Sequence, residues 1–538
     1  MDSSSKSTFQ LVFLFAFVML VTAGFWGVVE TSEARYAEIS REMYHSKNWI
    51  EPTLLGIRHF HKPPVTYWLT SLSFGVWGVN PFATRFFLII SYVLQVYLIY
   101  KIALALFEKA AIAKFAAIIY ATLPIVLIAV RTLTTDAFLQ TFVLLILYGW
   151  IQFLKTRRNA YLWLVAISAG FGFLTKGHAA VLVPALAAFG LLWVLPRPPL
   201  FKFQYLLALA VFILLAFSWY ALVTRENQDL GYYFIIRHFY DRFFHADVFS
   251  RTKPFYYYIL IFPAVSLPWF IFFIRQFFVS DQSNPAHKLA KNILIWWIVL
   301  PFIVYSASNS KLTLYILPLF AGFSLVTAYY FEQPLKQYWR WIVFTFQGII
   351  LLALLVCKFA LPEWNLPWWL MLIPAIALLI SIMCCLRIKT EQRAIVLLVS
   401  ISTTTILIYS ALLMHFNSLK VNAITPIADY IKARSFTQRP VLVYNKFLPS
   451  LAFELDKEII SIYDNENALK RETQFEKTSA WKKQLINIHE SSELLYLKSL
   501  LQRKSVIVAK SELPKEIREL MDTTWQKEAF DKWTVYFN

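Results

Sequence analysis

The densest concentration of reactive side chains in this chain lies at 30–64, just after its first apolar run. The sequence there reads E-T-S-E-A-R-Y-A-E-I-S-R-E-M from Glu30 and closes on H-F-H-K-P-P from His59. Carboxylates, guanidinium groups and the Lys62 ammonium are crowded into a stretch whose surroundings are almost wholly apolar. Further along stand Asp136, Lys176 and Lys311, each near the end of an apolar run, and His238, Asp241 and Arg242 in the stretch between two runs. A charge at the centre of a bilayer costs roughly 2.5–3.5 kcal/mol on insertion scales. Such residues therefore persist at membrane edges or in water-filled cavities, where they are free to take part in chemistry.

The elements that must position these groups are membrane helices. Of the 538 residues, 58% are hydrophobic and only 15% charged, far from a soluble average. Apolar runs of about 20 residues, the length that crosses a hydrocarbon core, recur at 8–28, 84–107, 111–130, 136–154, 160–175, 179–195 and 203–223. They continue at 254–274, 292–307, 313–331, 340–360, 366–386 and 394–415, which predicts thirteen spans. The formal charge of +19 belongs to this part of the chain, because 416–538 holds 19 Lys/Arg against 16 Asp/Glu. The excess gathers in alternate loops, 101–114, 155–158, 197–202, 275–291, 336–340 and 387–393, which carry 16 Lys/Arg. Positive loops stay cytoplasmic, so the charge is a topology signal and nucleic acid is not an expected partner.

With Lys6 before an uncleaved first helix, the N-terminus is expected inside. The parity of the spans then puts 29–83, 131–135, 176–178, 224–253, 308–312, 361–365 and everything after 415 outside. All the polar residues singled out above fall on that one face. Within the first outer loop, 34–45 has helical periodicity, with Tyr36, Ile39 and Met43 on one side and Arg35, Glu38, Arg41 and Glu42 on the other. This predicts an amphipathic helix lying on the membrane surface, capped by Thr31 or Ser32, with Glu33 in its first turn. Pro63-Pro64 opens a second, interfacial segment at 65–77. After 415, short buried strands at 441–444, 459–462 and 506–508 alternate with helical stretches at 449–455, 493–501 and 514–521, a small soluble α/β domain. The expected organisation is a transmembrane domain at 1–415, with its loop 29–83, followed by the soluble domain at 416–538.

Taken together, the motifs resemble a known family. T-S-E-A-R-Y-A-E-I-S-R-E-M with F-H-K-P-P is similar to the first extracytoplasmic loop of the aminoarabinose transferases that modify lipid A, within the protein O-mannosyltransferase-like GT-C glycosyltransferases. T-T-D-A-F from Thr134, L-T-K-G from Leu174, H-F-Y-D-R-F from His238, S-L-P-W from Ser266 and K-L-T-L-Y-I-L-P from Lys311 follow in the same order. The resemblance covers roughly residues 8–330. It implies transfer of a sugar from a polyprenyl phosphate, in bacteria usually undecaprenyl phosphate, to a lipid, glycan or protein acceptor at the outer face of the inner membrane. The expected course is a single displacement with inversion. A lipid phosphate is a good leaving group that needs cations, for which Lys62, Lys176, Arg242 and Lys311 are the candidates. The acceptor hydroxyl needs one general base. The family carries Asp-Glu where this chain has Ser32-Glu33, which leaves the identity of the base open: Glu33 is the first choice, with Asp136 either the second carboxylate or the base itself. Arg35, Tyr36, Asp241 and Tyr315 complete the candidate site. The family also implies a zinc site near His61 and His238, although it has glutamate at the position of His61; no other cofactor is expected.

Other classes are weighed against this one. A transporter or lipid flippase would also have many spans, but its polar residues would gather at the midplane instead of one face. A catalytically silent family member is the third reading, motivated by Ser32. P-loop, GxGxxG, nucleophile-elbow and HExxH patterns are absent from the sequence. Asp464-Asn465-Glu466 is better explained as a turn than as a nucleotide-sugar motif. Cys357, Cys384 and Cys385 lie in expected helices without metal spacing.

Overall fold

The structure is a computed structural model that describes residues 3–227, 229–234, 253–278 and 284–538. Two compact units divide the chain: Met1–Thr22 with Leu88–Ser410, and Ala23–Phe87 with Ala411–Asn538.

The first unit is helical. Every apolar run read from the sequence coincides with helix, from Ser3–Thr22 to Glu391–Phe416. Among the described residues, seven helices are long and apolar enough to cross a membrane, or eight if Ala110–Ala121 and Pro124–Arg131, bent by 55°, form one span. The other runs expected to span include short helices such as Ala179–Leu191, which contains Pro184, and the run at 254–274, broken near Pro263 and Pro268. Proline removes an amide donor and collides with the preceding turn, so a hydropathy run containing it need not be one straight helix. Thr135–Thr156 packs along Asn159–Lys176, and Phe203–Glu226 packs along the latter. The connection between the first two is Arg157-Arg158, with Arg157 in the left-handed region at φ 59°. So tight a link forces the helices antiparallel and brings the start of one beside the end of the other.

The second unit combines a loop region with a sheet. The loop region holds helices Ser32–Ser46 and Val65–Trp77 and a hairpin of β1 (Thr53–Leu54) and β2 (Ile57–Arg58). Leu55 and Gly56 at its tip both have positive φ, 53° and 73°, the geometry whose twist suits a two-residue hairpin. A leucine there is unfavourable. It is held because its side chain enters the core formed by Ile427, Ile431, Val443 and Leu451.

The sheet has six strands: β3 (Val441–Tyr444), β4 (Ile460–Tyr463), β5 (Leu485–Asn487), β6 (Val506–Ala509), β7 (Gln526–Phe530) and β8 (Trp533–Phe537). Their spatial order is β5-β4-β3-β6-β8-β7, with β5, β4, β3 and β6 parallel and β8 and β7 antiparallel. Both faces are covered. Val441, Val443, Val506 and Val508 face one core, while Leu442, Tyr444, Ile462, Ile486 and Ile507 face the other. Burial on both faces explains why these strands read as unbroken apolar runs in the sequence.

The helix expected to lie on the membrane surface packs inside this unit instead. Ser32–Ser46 contacts Val65–Trp77 on one side and Pro449–Leu455 on the other. Glu38 and Arg41, assigned to its polar face, are buried and joined through Arg41 Nε and Nη2 to the two Glu38 oxygens at 2.7 and 2.8 Å. An internal ion pair on the polar face lets an amphipathic helix be covered on both sides. Thr31 makes no side-chain capping bond; the open amide of Val29 is taken by Glu33 from the first turn.

Candidate functional site

In the helical unit, the structure brings together Asp136, Lys176 and Tyr315. Asp136 sits in the first turn of Thr135–Thr156, capped by Thr134, whose hydroxyl accepts its amide. Lys176 is the last residue of Asn159–Lys176, which ends at Gly177 with φ 65°. Each charge complements the dipole of its own helix end. The antiparallel packing of the two helices turns that into an ion pair, with Lys176 Nζ donating to Asp136 Oδ1. The ammonium also lies 4.5 Å from the centroid of the Tyr315 ring, on the short turn Thr313–Ile316. Asp136 is 8% exposed, and among the described residues no hydrogen bond engages its Oδ2. Lys311 is buried and donates to the carbonyls of Ser308 at 2.5 Å and Lys253 at 3.0 Å.

Glu33 belongs to the second unit and has a different environment. Its two oxygens accept from Arg85 Nε at 3.0 Å and Nη2 at 2.9 Å, and Oε2 also takes the Val29 amide at 3.0 Å. The rest of the Arg85 guanidinium donates to the carbonyls of Ala23, Trp26 and Gly27, and its carbon lies over the Trp26 ring, 4.1 Å from the centroid. Both charged side chains are only 1% exposed. A Cβ on Gly27 would lie 2.3 Å from Glu454 Oε1, so glycine is what allows the chain to pass there. This is a bidentate, stacked, fully bonded pair, which fixes the start of the loop and leaves the carboxylate no free direction for a substrate proton.

A second group in the same unit gathers His59, His61, Glu472, Arg35 and Arg471. Both imidazoles of the 59–61 stretch turn towards Glu472, and Phe60 packs on Phe475. His59 Nδ1 is 2.9 Å and His61 Nε2 3.7 Å from Glu472 Oε2. Arg471 and Arg35 approach Oε1 at 3.3 and 3.8 Å. Burial raises the proton affinity of Glu472, but bonds from His59 and His61 and the arginine charge outweigh it, and the carboxyl is held well below its usual range. Burial depresses both histidines, His61 to about 3 with His59 as its neighbour. Among the described residues these three side chains form the one cluster able to hold a metal, and two imidazoles with a carboxylate suit a borderline divalent ion.

Of the remaining candidates, Tyr36 packs on Tyr67 at 5.8 Å, Lys62 is half-buried next to His61, and Ser32 is exposed. His238, Asp241 and Arg242 lie outside the described residues. Sequence reasoning missed Arg85, His59 and Glu472. Arg85 had a signal, a lone guanidinium within an apolar run that must find a partner. His59 had one in the H-x-H spacing. Glu472, more than 400 residues from His59, had none.

The helical unit, the loop region and the sheet covered on both faces define a fold class, a polytopic helical domain with a small α/β domain. The fold matches the crystal structure of ArnT from Cupriavidus metallidurans bound to undecaprenyl phosphate with a TM-score of 0.79 at 18% identity, covering all of this chain and 98% of that one. The sequence comparisons are more particular. The family model of dolichyl-phosphate-mannose-protein mannosyltransferase matches residues 61–221. The undecaprenyl phosphate-alpha-4-amino-4-deoxy-L-arabinose arabinosyl transferase of Pectobacterium carotovorum is 31% identical over 330 residues, 60% of this chain and 58% of that protein. Its counterpart from Pectobacterium atrosepticum is 30% identical over 362 residues, 65% of this chain and 64% of that protein. The resemblance to the aminoarabinose transferases is thus borne out, over somewhat less than two thirds of the length of these relatives.

Proposed function

We propose that this protein is a membrane glycosyltransferase that moves a sugar from undecaprenyl phosphate to a lipid A-like acceptor, with 4-amino-4-deoxy-arabinose as the first donor to test. Another glycan or a protein is the alternative acceptor. The observation that carries the reading is the Asp136–Lys176 pair against Tyr315; the two charged residues lie inside the segment matched by the mannosyltransferase family model. Asp136 is the general base for the acceptor hydroxyl and Lys176 a cation for the departing phosphate. Before the donor arrives the two neutralise one another. As the phosphate draws the ammonium towards the leaving oxygen, the carboxylate is freed to accept the proton of the acceptor hydroxyl. A charge pair at 4 Å is worth about 4 kcal/mol at an effective dielectric near 20, enough to matter as charge builds on the leaving oxygen. Attack and departure on opposite faces give inversion in one displacement.

The reading places the protein in a bacterial inner membrane, N-terminus inside and the sheet-bearing unit outside, in agreement with the basic loops. Lys311, in the same unit, is the supporting phosphate candidate. The test is turnover of radiolabelled undecaprenyl-phosphate sugar by the protein in nanodiscs with lipid A added. Transfer that disappears in Asp136→Asn supports the proposal. No turnover of any polyprenyl-phosphate sugar, together with an unchanged cellular glycolipid profile in Asp136→Asn, would sink it. If neither the native protein nor Ser32→Asp is active, the silent-member reading takes its place.

A further inference from the structure

We infer that His59, His61 and Glu472 form a divalent-metal site that ties the 59–61 stretch to the Asn467–Glu472 helix, with zinc the ion it suits best. The site is independent of the sugar-transfer reading. Two of its ligands, His59 and Glu472, differ from the His61–His238 pair expected from the sequence.

Geometry carries the argument. The ligand atoms all lie within 4.8 Å of one another, and the two distances to Glu472 Oε2 are 2.9 and 3.7 Å. Tetrahedral zinc with bonds of about 2.05 Å separates its ligands by about 3.3 Å, between those two values. Each of the two distances to Glu472 Oε2 is within about 0.4 Å of that separation. His59 and Glu472 are each 2% exposed, so their orientations are set by packing and do not have to be frozen on binding. His61 is held by Phe475 at 5.2 Å and by the His59 ring at 4.4 Å.

The surroundings also direct the carboxylate. Arg471 and Arg35 occupy the Oε1 side, leaving Oε2 as the oxygen turned to the imidazoles, the outer-shell orientation that metal-bound carboxylates use. Two nitrogens and one oxygen favour zinc over magnesium or calcium, which prefer all-oxygen sets. Three protein ligands leave a fourth position for water or an anionic oxygen.

The test uses the full chain in nanodiscs, stripped with chelator, reloaded with zinc chloride, desalted and measured by elemental mass spectrometry. About one zinc per chain is expected, retained in excess magnesium and lost in His59→Gln and Glu472→Gln. Because Glu472 also serves two arginines, its variant could fail to fold; cobalt reloading of the unaltered protein then decides. An intense visible band of four-coordinate cobalt supports the site. Weak absorption of the six-coordinate kind, or zinc below a tenth of an equivalent, overturns it. Zinc kept in His59→Gln but lost in His238→Gln also overturns it, in favour of a different ligand set.

Discussion

The chain holds two carboxylates that the sequence offers as the base, Glu33 first and Asp136 second, and their surroundings are opposite in kind. Glu33 meets an arginine through both oxygens, adds a backbone amide, and lies behind a guanidinium whose other donors close on three carbonyls. Asp136 meets a lysine through one oxygen and keeps the other unengaged by hydrogen bonds among the described residues. Arginine's planar fork fixes geometry, whereas a lysine ammonium on a flexible stem can move between anions. The contrast teaches that a carboxylate's place in a motif matters less for its role than whether its counter-ion can leave.

The largest expected effect tests the open pair. Asp136→Asn should lower transfer by about 100- to 10,000-fold, the usual range for loss of a general base, in protein that is purified folded and monodisperse. Glu33→Gln should do the reverse at the level of cause, lowering activity only in proportion to folded protein. A purified, monodisperse Glu33→Gln protein as inactive as Asp136→Asn would erase the distinction.

Next comes the stability of the closed pair. Arg85→Met leaves the Glu33 charge buried without its partner, at a cost of about 3–5 kcal/mol. It should appear as a large drop in melting temperature or loss of the folded protein. Replacing both members, Glu33→Leu with Arg85→Met, should recover part of that loss, since two apolar side chains leave no isolated charge. A double variant no more stable than Arg85→Met would show that the carbonyl contacts of Arg85, not its charge pairing, hold the loop.

Much of this was legible in the sequence, and the gaps have physical causes. The helical runs, β3 and the Pro449–Leu455 helix were visible because burial sets local patterns there. The number of full-length spans was not, since hydropathy cannot register a bend at Pro124 or breaks near Pro263 and Pro268. Lys176 and Asp136 were both identified but their pairing was not, because it depends on how two helices meet. Glu38 and Arg41 were read as a wet face because each was judged alone; together they neutralise one another and can be buried. Long-range partners such as Glu472 leave no local trace at all.

A smaller effect probes the loop's acidity. The Glu30 carboxylate accepts the Ser450 amide at 2.8 Å, and burial, opposed by that bond and by Arg35, raises it from 4.5 to about 7. A carboxyl raised on folding contributes stability that is full below its unfolded value and is lost as pH climbs through the folded one. Melting temperature should therefore fall between about pH 4.5 and 7, and Glu30→Gln should flatten that slope. An unchanged slope in the variant would assign the dependence to another group.

The smallest effect lies at Tyr315, the ring beneath the Lys176 ammonium. A cation over an aromatic face gains about 0.5–2 kcal/mol, depending on how well water is excluded. If the ring holds the ammonium where the phosphate must come, Tyr315→Leu should weaken donor use by about 2- to 30-fold, chiefly in KM. Tyr315→Phe, which keeps the face and loses only the hydroxyl, should stay near the native value. Equal losses in the two variants would mean that the hydroxyl acts, and would move Tyr315 from steadying Lys176 to touching the substrate. The mobile counter-ion that sets Asp136 apart from Glu33 would then have to be steadied by something other than this ring.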